Sequence, residues 1–161
     1  MPTITLVTPI RSSITTCFDL SRSIDLHQVS TSQTNERAIG GRITGLINGG
    51  EWVTWEATHF GIKQKLTSKI TGYNRPFNFR DEQLKGAFRY FVHDHTFEER
   101  DGMVMMKDVF TFRSPFGYVG KLVDKVILTR YLRKFLTGRN LIIKEYAETD
   151  KWKLVLPGNT L

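Results

Sequence analysis

Through the middle of the chain, apolar and polar positions alternate with a period of two. Near the N-terminus, and again over the last third, they recur at helical spacing. The first pattern marks strands with one buried face, the second amphipathic helices. Ile4-Thr5-Leu6-Val7-Thr8 predicts an opening strand, and Pro9 limits how far it can pair centrally. Ser12 and Ser13 can cap a short helix carrying Ile14, Cys17, Phe18 and Leu20. A second short helix is predicted from Ser23 to Val29, with Ile24, Leu26 and His27 as its contacts, and residues 30–35 read as a polar loop. Strands are then predicted over 51–60, 62–70, 77–84, 87–98 and 103–112, with a turn at Asn74-Arg75-Pro76 and a hairpin signal at Asp101-Gly102. Tight turns between consecutive strands imply an antiparallel meander. Ser114-Pro115 ends the sheet, and a long helix is predicted over about 116–147. Its apolar side carries Leu122, Val126, Leu128, Leu132, Phe135, Leu136, Ile142, Ile143 and Tyr146. A stripe that wide needs a large partner surface, and the meander is the one available.

The expected fold class is therefore α+β. About six to seven antiparallel strands form a curved sheet around a long C-terminal helix, and two short helices follow strand 1. Residues 1–150 form the expected domain, and residues 151–161 are a tail, docked or disordered.

Gly40, Gly41, Gly45, Gly49 and Gly50 fit turns and bulges where the sheet bends. They do not form a phosphate loop, because neither GxxxxGK[ST] nor GxGxxG opening a helix is present. A single cysteine, Cys17, excludes an internal disulfide framework and points to a reducing compartment. With no signal-peptide pattern and no apolar run of about 18–20 residues, the expectation is a soluble cytoplasmic protein with no integral membrane association. The net charge is +7, but no run of four Lys/Arg occurs, so a solvated basic surface is expected rather than a nucleic-acid site. Lys63, Lys65 and Lys69 fall on alternate positions and mark a water-facing side. Arg139, beside Gly138, reads as the partner of an anionic ligand or of a surface acid.

The order β–α–α–β(several)–long α resembles the helix-grip, or START-like, superfamily of Bet v-type allergens, polyketide cyclases and lipid-transfer domains. The segments VTWEATHFGIKQKLT (Val53 to Thr67), FRYFVHDHTFEE (Phe88 to Glu99) and FRSPFGYVGKLVDK (Phe112 to Lys125) are similar to the bacterial ligand-binding SRPBCC subgroup. The resemblance implies a fold and an internal cavity, with no catalytic motif to carry over and no named ligand.

Alternation places the residues that would line such a cavity. Phe91, His93, His95 and Phe97 share one strand face; Val104, Met106, Asp108, Phe110 and Phe112 share another. Trp55 and His59 share a face with Val53 and Ala57, leaving Trp52 on the opposite side, and Gln64 points inward on the next strand. Phe135 is expected to approach from the helix. The interior would then hold a polar patch of His59, Gln64, His93, His95 and Asp108 within an aromatic wall. Burying such groups costs a few kcal/mol each unless they are bonded.

Three readings of the patch are open. It is a satisfied network that also uses Glu82, a recognition site for the polar end of a ligand, or a metal or catalytic site. The primary functional expectation is binding of a hydrophobic or amphipathic small molecule, with no cofactor and no resident metal. The alternatives are a cyclase or dehydratase using His93, His95 and Asp108 as acid–base groups, or an interaction module using basic helix residues such as Lys125 and Arg133.

Overall fold

The computed structural model describes residues 1–115, 117, 118, 122 and 124–158. Seven strands form one antiparallel sheet: β1 (Thr3–Ile10), β2 (Arg37–Gly41), β3 (Trp52–His59), β4 (Ile62–Asn74), β5 (Asn78–Lys85), β6 (Tyr90–Arg100) and β7 (Met103–Arg113). Their order is β1-β7-β6-β5-β4-β3-β2. The strands from β2 to β7 are thus a plain meander, and β1 closes on β7 with Thr3 opposite Thr111 and Ile10 opposite Val104. Pro9 is accommodated because β1 is an edge strand.

β2 was not expected as a strand, because its sequence, RAIGG, reads as part of the glycine-rich turns. Gly41 serves close approach. A side chain at Gly41 would place its Cβ 2.2 Å from the Trp52 carbonyl oxygen, and its φ is +70°. Register shifts at Ala38/Gly40 in β2 and at Thr67/Ser68 and Ile70/Gly72 in β4 mark bulges, which bend a sheet and tighten its twist. The β6–β7 hairpin turns through Asp101 and Gly102, both at positive φ, as the Asp-Gly signal predicts.

Helices α1 (Ile14–Ser21) and α2 (Ile24–Ser30) are capped by Ser13 and Ser23, whose hydroxyl oxygens accept from the N–H groups of Thr16 and Leu26. The C-terminal helix α3 (Thr129–Glu148) continues from a π-helical stretch at Asp124–Leu128. Its buried stripe is Leu132, Leu136, Arg139, Asn140, Ile143 and Ala147. The predicted apolar side therefore starts too early. Leu122 and Val126 are exposed, and only from Leu128 onward does the helix lie against the sheet. Phe116, Val119, Gly120, Lys121 and Val123, also within the predicted helix, lie outside the described residues.

Two apolar cores form. One joins α1, α2 and the far ends of β5–β7 around Phe18, whose ring meets Tyr73, Phe79 and Phe97 edge-on at centroid distances of 5.5, 5.3 and 5.4 Å. Trp152, Val155 and Leu156 pack against this core, so the described part of the predicted tail is docked. The other core joins Ile4, Phe91, Phe110 and Phe112 of the sheet to Leu132 and Leu136 of α3. Among the described residues, no helix is long and apolar enough to cross a membrane.

Candidate functional site

Between sheet and helix lies a cavity of about 970 Å³. One wall is aromatic and aliphatic: Trp55 and Leu66 from the sheet face Leu132, Phe135 and Leu136 of α3, with Phe91 and Phe110 stacked at 5.2 Å. His59 is anchored across the cavity by a 2.7 Å hydrogen bond between its Nδ1 and the Tyr131 hydroxyl, and Phe60 packs on the same tyrosine. Burial pushes the His59 imidazole below its ordinary pKa and the Tyr131 phenol above its own.

Of the residues expected from sequence, Trp55, His59, Gln64, Phe91, His93, His95, Phe110 and Phe135 line this space. Phe97 and Met106 do not. They lie on the inward faces of β6 and β7, but farther along, where α1 rather than α3 covers the sheet. Phe97 meets Phe18, and Met106 Sδ sits 3.3 Å from the Ser21 hydroxyl. Alternation reports the face of a strand but not which element covers it. Trp52 is half-exposed on the outer face, as expected.

Asp108 is fully buried, behind the histidines rather than on the cavity wall. Its Oδ1 lies 2.8 Å from His93 Nε2 and 3.0 Å from His95 Nδ1, and its Oδ2 accepts from the Asn140 amide at 2.7 Å. Burial alone would raise the Asp108 pKa, but the bond from His93 and the facing His95 imidazole hold it well below the usual carboxylate range. An ionised carboxylate only accepts, so His93 Nε2 carries the proton of that bond. Burial and the neighbouring His93 push the His95 imidazole down to about 3, so His95 is neutral. Its ring stacks on Phe79 at 4.1 Å and tilts against His93 at 3.8 Å.

Arg139 is not on the surface. It is 4% exposed, with Nη1 3.6 Å from Asp108 Oδ1, and it donates to Asn140 Oδ1 and the Ser21 carbonyl at 3.1 Å each. A polar Arg-Asn pair inside an apolar helix stripe is the signal that could have located it. His93, His95 and Asp108 present ligand atoms within 4.8 Å of one another, the spacing of a metal site. The chemistry does not fit one. Both Asp108 oxygens are already bonded, and the guanidinium places a fixed positive charge beside them.

The sequence reading missed three further cavity residues. Asp81, not Glu82, faces inward: it lies opposite His93, whereas Glu82 lies opposite Val92. Phe79 shares its parity and could have fixed the face. Burial raises the Asp81 carboxyl pKa. His27, read only as a contact of α2, lies over Trp55 at 4.2 Å, with Nε2 3.3 Å from Glu36 Oε1. Glu36 carried no sequence signal. Its burial would raise its pKa, but the His27 imidazole holds it below its ordinary value.

Among the described residues, four buried side-chain polar atoms lack a well-formed hydrogen bond: His27 Nε2, Glu36 Oε2, Asp81 Oδ1 and His95 Nδ1. All four belong to residues lining this cavity; His27 Nε2 and His95 Nδ1 each face a carboxylate, of Glu36 and Asp108, whereas Glu36 Oε2 and Asp81 Oδ1 have no partner. Such atoms are uncommon in folded proteins, and their convergence on one space marks where a polar partner belongs.

No protein-family model matches the chain, and no curated protein matches its sequence. Solved structures do match. TTHA0849 from Thermus thermophilus superposes with a TM-score of 0.69 at 12% identity, over 88% of this chain and 97% of that one. Major latex-like protein 151 from Panax ginseng gives 0.68 at 14% identity, over 92% and 98%. The chain has the helix-grip fold. The protein Ara h 8.0201 shares this fold, with a TM-score of 0.64 at 15% identity over 91% of this chain and 97% of that one. Helix-grip architecture accounts for the cavity physically: one helix cannot fill the concave side of a seven-stranded sheet.

Proposed function

We propose that the protein binds an amphipathic small molecule in the cavity. Its polar end would meet His27, Glu36, Asp81 and His95, and its apolar body would lie along Trp55, Phe91, Phe110 and Phe135. The observation that carries this reading is that two buried carboxyl oxygens without a partner, Glu36 Oε2 and Asp81 Oδ1, belong to residues lining one largely apolar space beside the His27 and His95 rings. An apolar body gains about 0.8 kcal/mol per buried methylene. A ten-carbon body thus contributes on the order of 8 kcal/mol, comparable to the cost of association. The polar contacts then decide whether binding is tight.

The test is uptake of the environment-sensitive dye anilinonaphthalene sulfonate, together with native mass spectrometry of protein purified from its host. The dye should bind with micromolar affinity, and a small apolar adduct should be retained. Leu136→Trp, which fills the space, should weaken dye binding about tenfold or more, the equivalent of about 1.4 kcal/mol. A wild-type protein that takes up neither dye nor adduct would sink the proposal.

A further inference from the structure

Asp81 on β5 and His93 on β6 lie directly opposite each other, and both line the cavity. Side chains opposed in this way start from Cβ atoms about 5 Å apart. They do not bond to each other: Asp81 Oδ1 has no partner, and the one hydrogen bond of the His93 ring runs from Nε2 to Asp108. With the Nε2 proton held by an ionised carboxylate, Nδ1 is the ring nitrogen left without a hydrogen bond, and in a neutral imidazole of this tautomer it carries the lone pair. The cavity therefore holds a carboxyl group and a carboxylate-oriented imidazole side by side, with space for a small group against both.

We propose that Asp81 and His93 act as an acid–base pair that enolises a hydrophobic carbonyl compound bound in the cavity. His93 Nδ1 removes a proton from the carbon next to the carbonyl. The C–H electron pair becomes the carbon–carbon double bond, the carbonyl π pair moves to oxygen, and that oxygen takes the proton of the Asp81 carboxyl. The enol leaves Asp81 as carboxylate and His93 as imidazolium. Return of one proton from His93 to Asp81 resets the pair, so ketone and enol interconvert with no co-reactant. The inference rests on the reading of the cavity as a binding site and adds a reaction to it.

The alternatives within the cluster are weaker. His95 resists protonation down to about 3, which makes it a poor base, and its Nδ1 faces Asp108. Asp108 is ionised, saturated and set back from the wall, so it orients His93 rather than meeting substrate. These placements replace the His93, His95 and Asp108 acid–base set expected from sequence. Burial raises the Asp81 pKa against the opposing influence of Ser68, His93, His27 and Arg139, which favours the protonated acid the reaction needs.

The test uses the full chain with 2-tetralone, an apolar ketone with acidic hydrogens next to its carbonyl. Loss of those hydrogens in deuterium oxide is followed by proton NMR. Wild-type protein should accelerate exchange saturably, by about 100-fold over buffer, the range a positioned acid or base supplies. Asp81→Asn and His93→Gln should each remove about tenfold or more of this acceleration while keeping the far-ultraviolet circular dichroism of the wild type. Absence of acceleration in wild type, or equal acceleration in both variants, overturns the pair. If the dye still binds when exchange is absent, the binding reading stands alone; if neither occurs, both fall. Should a variant not fold, the nitrogen-15 shifts of wild-type His93 decide: neutral, Nε2-protonated imidazole is expected, and an Nδ1-protonated ring overturns the assignment.

Discussion

Asp108 shows how a charge persists without water. It has no exposed surface, yet three groups answer it: the His93 N–H, the Asn140 amide and the Arg139 guanidinium. Arg139 is itself buried, so its charge depends on the carboxylate in return. Removing one member of a buried ion pair typically costs about 3–5 kcal/mol, because the other is left uncompensated. Asp108→Ala should therefore lower stability by that amount in urea denaturation. The double variant Asp108→Ala/Arg139→Met should recover a large part of the loss, since it removes the stranded charge as well. A single-variant cost of about 1 kcal/mol or less would mean that the pair contributes no more than a surface contact.

At the scale of elements, α2 is the dependent one. Seven residues are too few for a helix that holds itself together in water. It persists because Ser23 caps it, because Ile24 and Leu26 are buried, and because Ser23 bridges to Leu46. Ser23→Ala should cost about 1 kcal/mol, lowering the melting temperature by about 2–4 °C in calorimetry. Because α2 carries His27 to the cavity, the same substitution should weaken dye uptake; unchanged affinity would show that His27 does not contact the bound molecule. The basic face of α3 is less free than its sequence suggests. Arg133 reaches the Thr5 carbonyl at 3.4 Å, while the Lys125 side chain lies outside the described ones.

For the whole molecule, the buried titratable groups set the dependence of stability on pH. His95 titrates near 6.5 when unfolded and at about 3 when folded. Its contribution is therefore complete above 6.5 and is lost as pH falls, because the unfolded chain binds the proton first. Asp108, also depressed, adds a second loss below its ordinary value of 3.8. Asp81 has the opposite sign: with its folded pKa raised, it favours the fold at low pH and opposes it as pH rises. The histidine effect should dominate the mildly acidic range. Urea midpoints should fall between about pH 7 and pH 5, and His95→Gln should flatten that fall. A flat wild-type profile there would contradict a neutral, buried His95.

The sequence by itself determined the elements and their order. Period-two alternation, serine caps, the Asp-Gly turn and a wide apolar helix stripe are local signals, and they led to a sheet closed on one long helix. They also placed His93, His95 and Asp108 on inward faces, because parity along a strand is a property of the strand alone. Only the tertiary structure decided what covers each inward face. It put α1 over Phe97 and Met106, left the space before Trp55 and Phe91 open, and brought His27 and Glu36 to the edge of that space. It drew Arg139 beneath Asp108 and turned Asp81 rather than Glu82 toward His93. Those pairings span tens of residues and depend on strand bulges and the path of α3, which no local pattern records. The chemistry of the cavity lives in them.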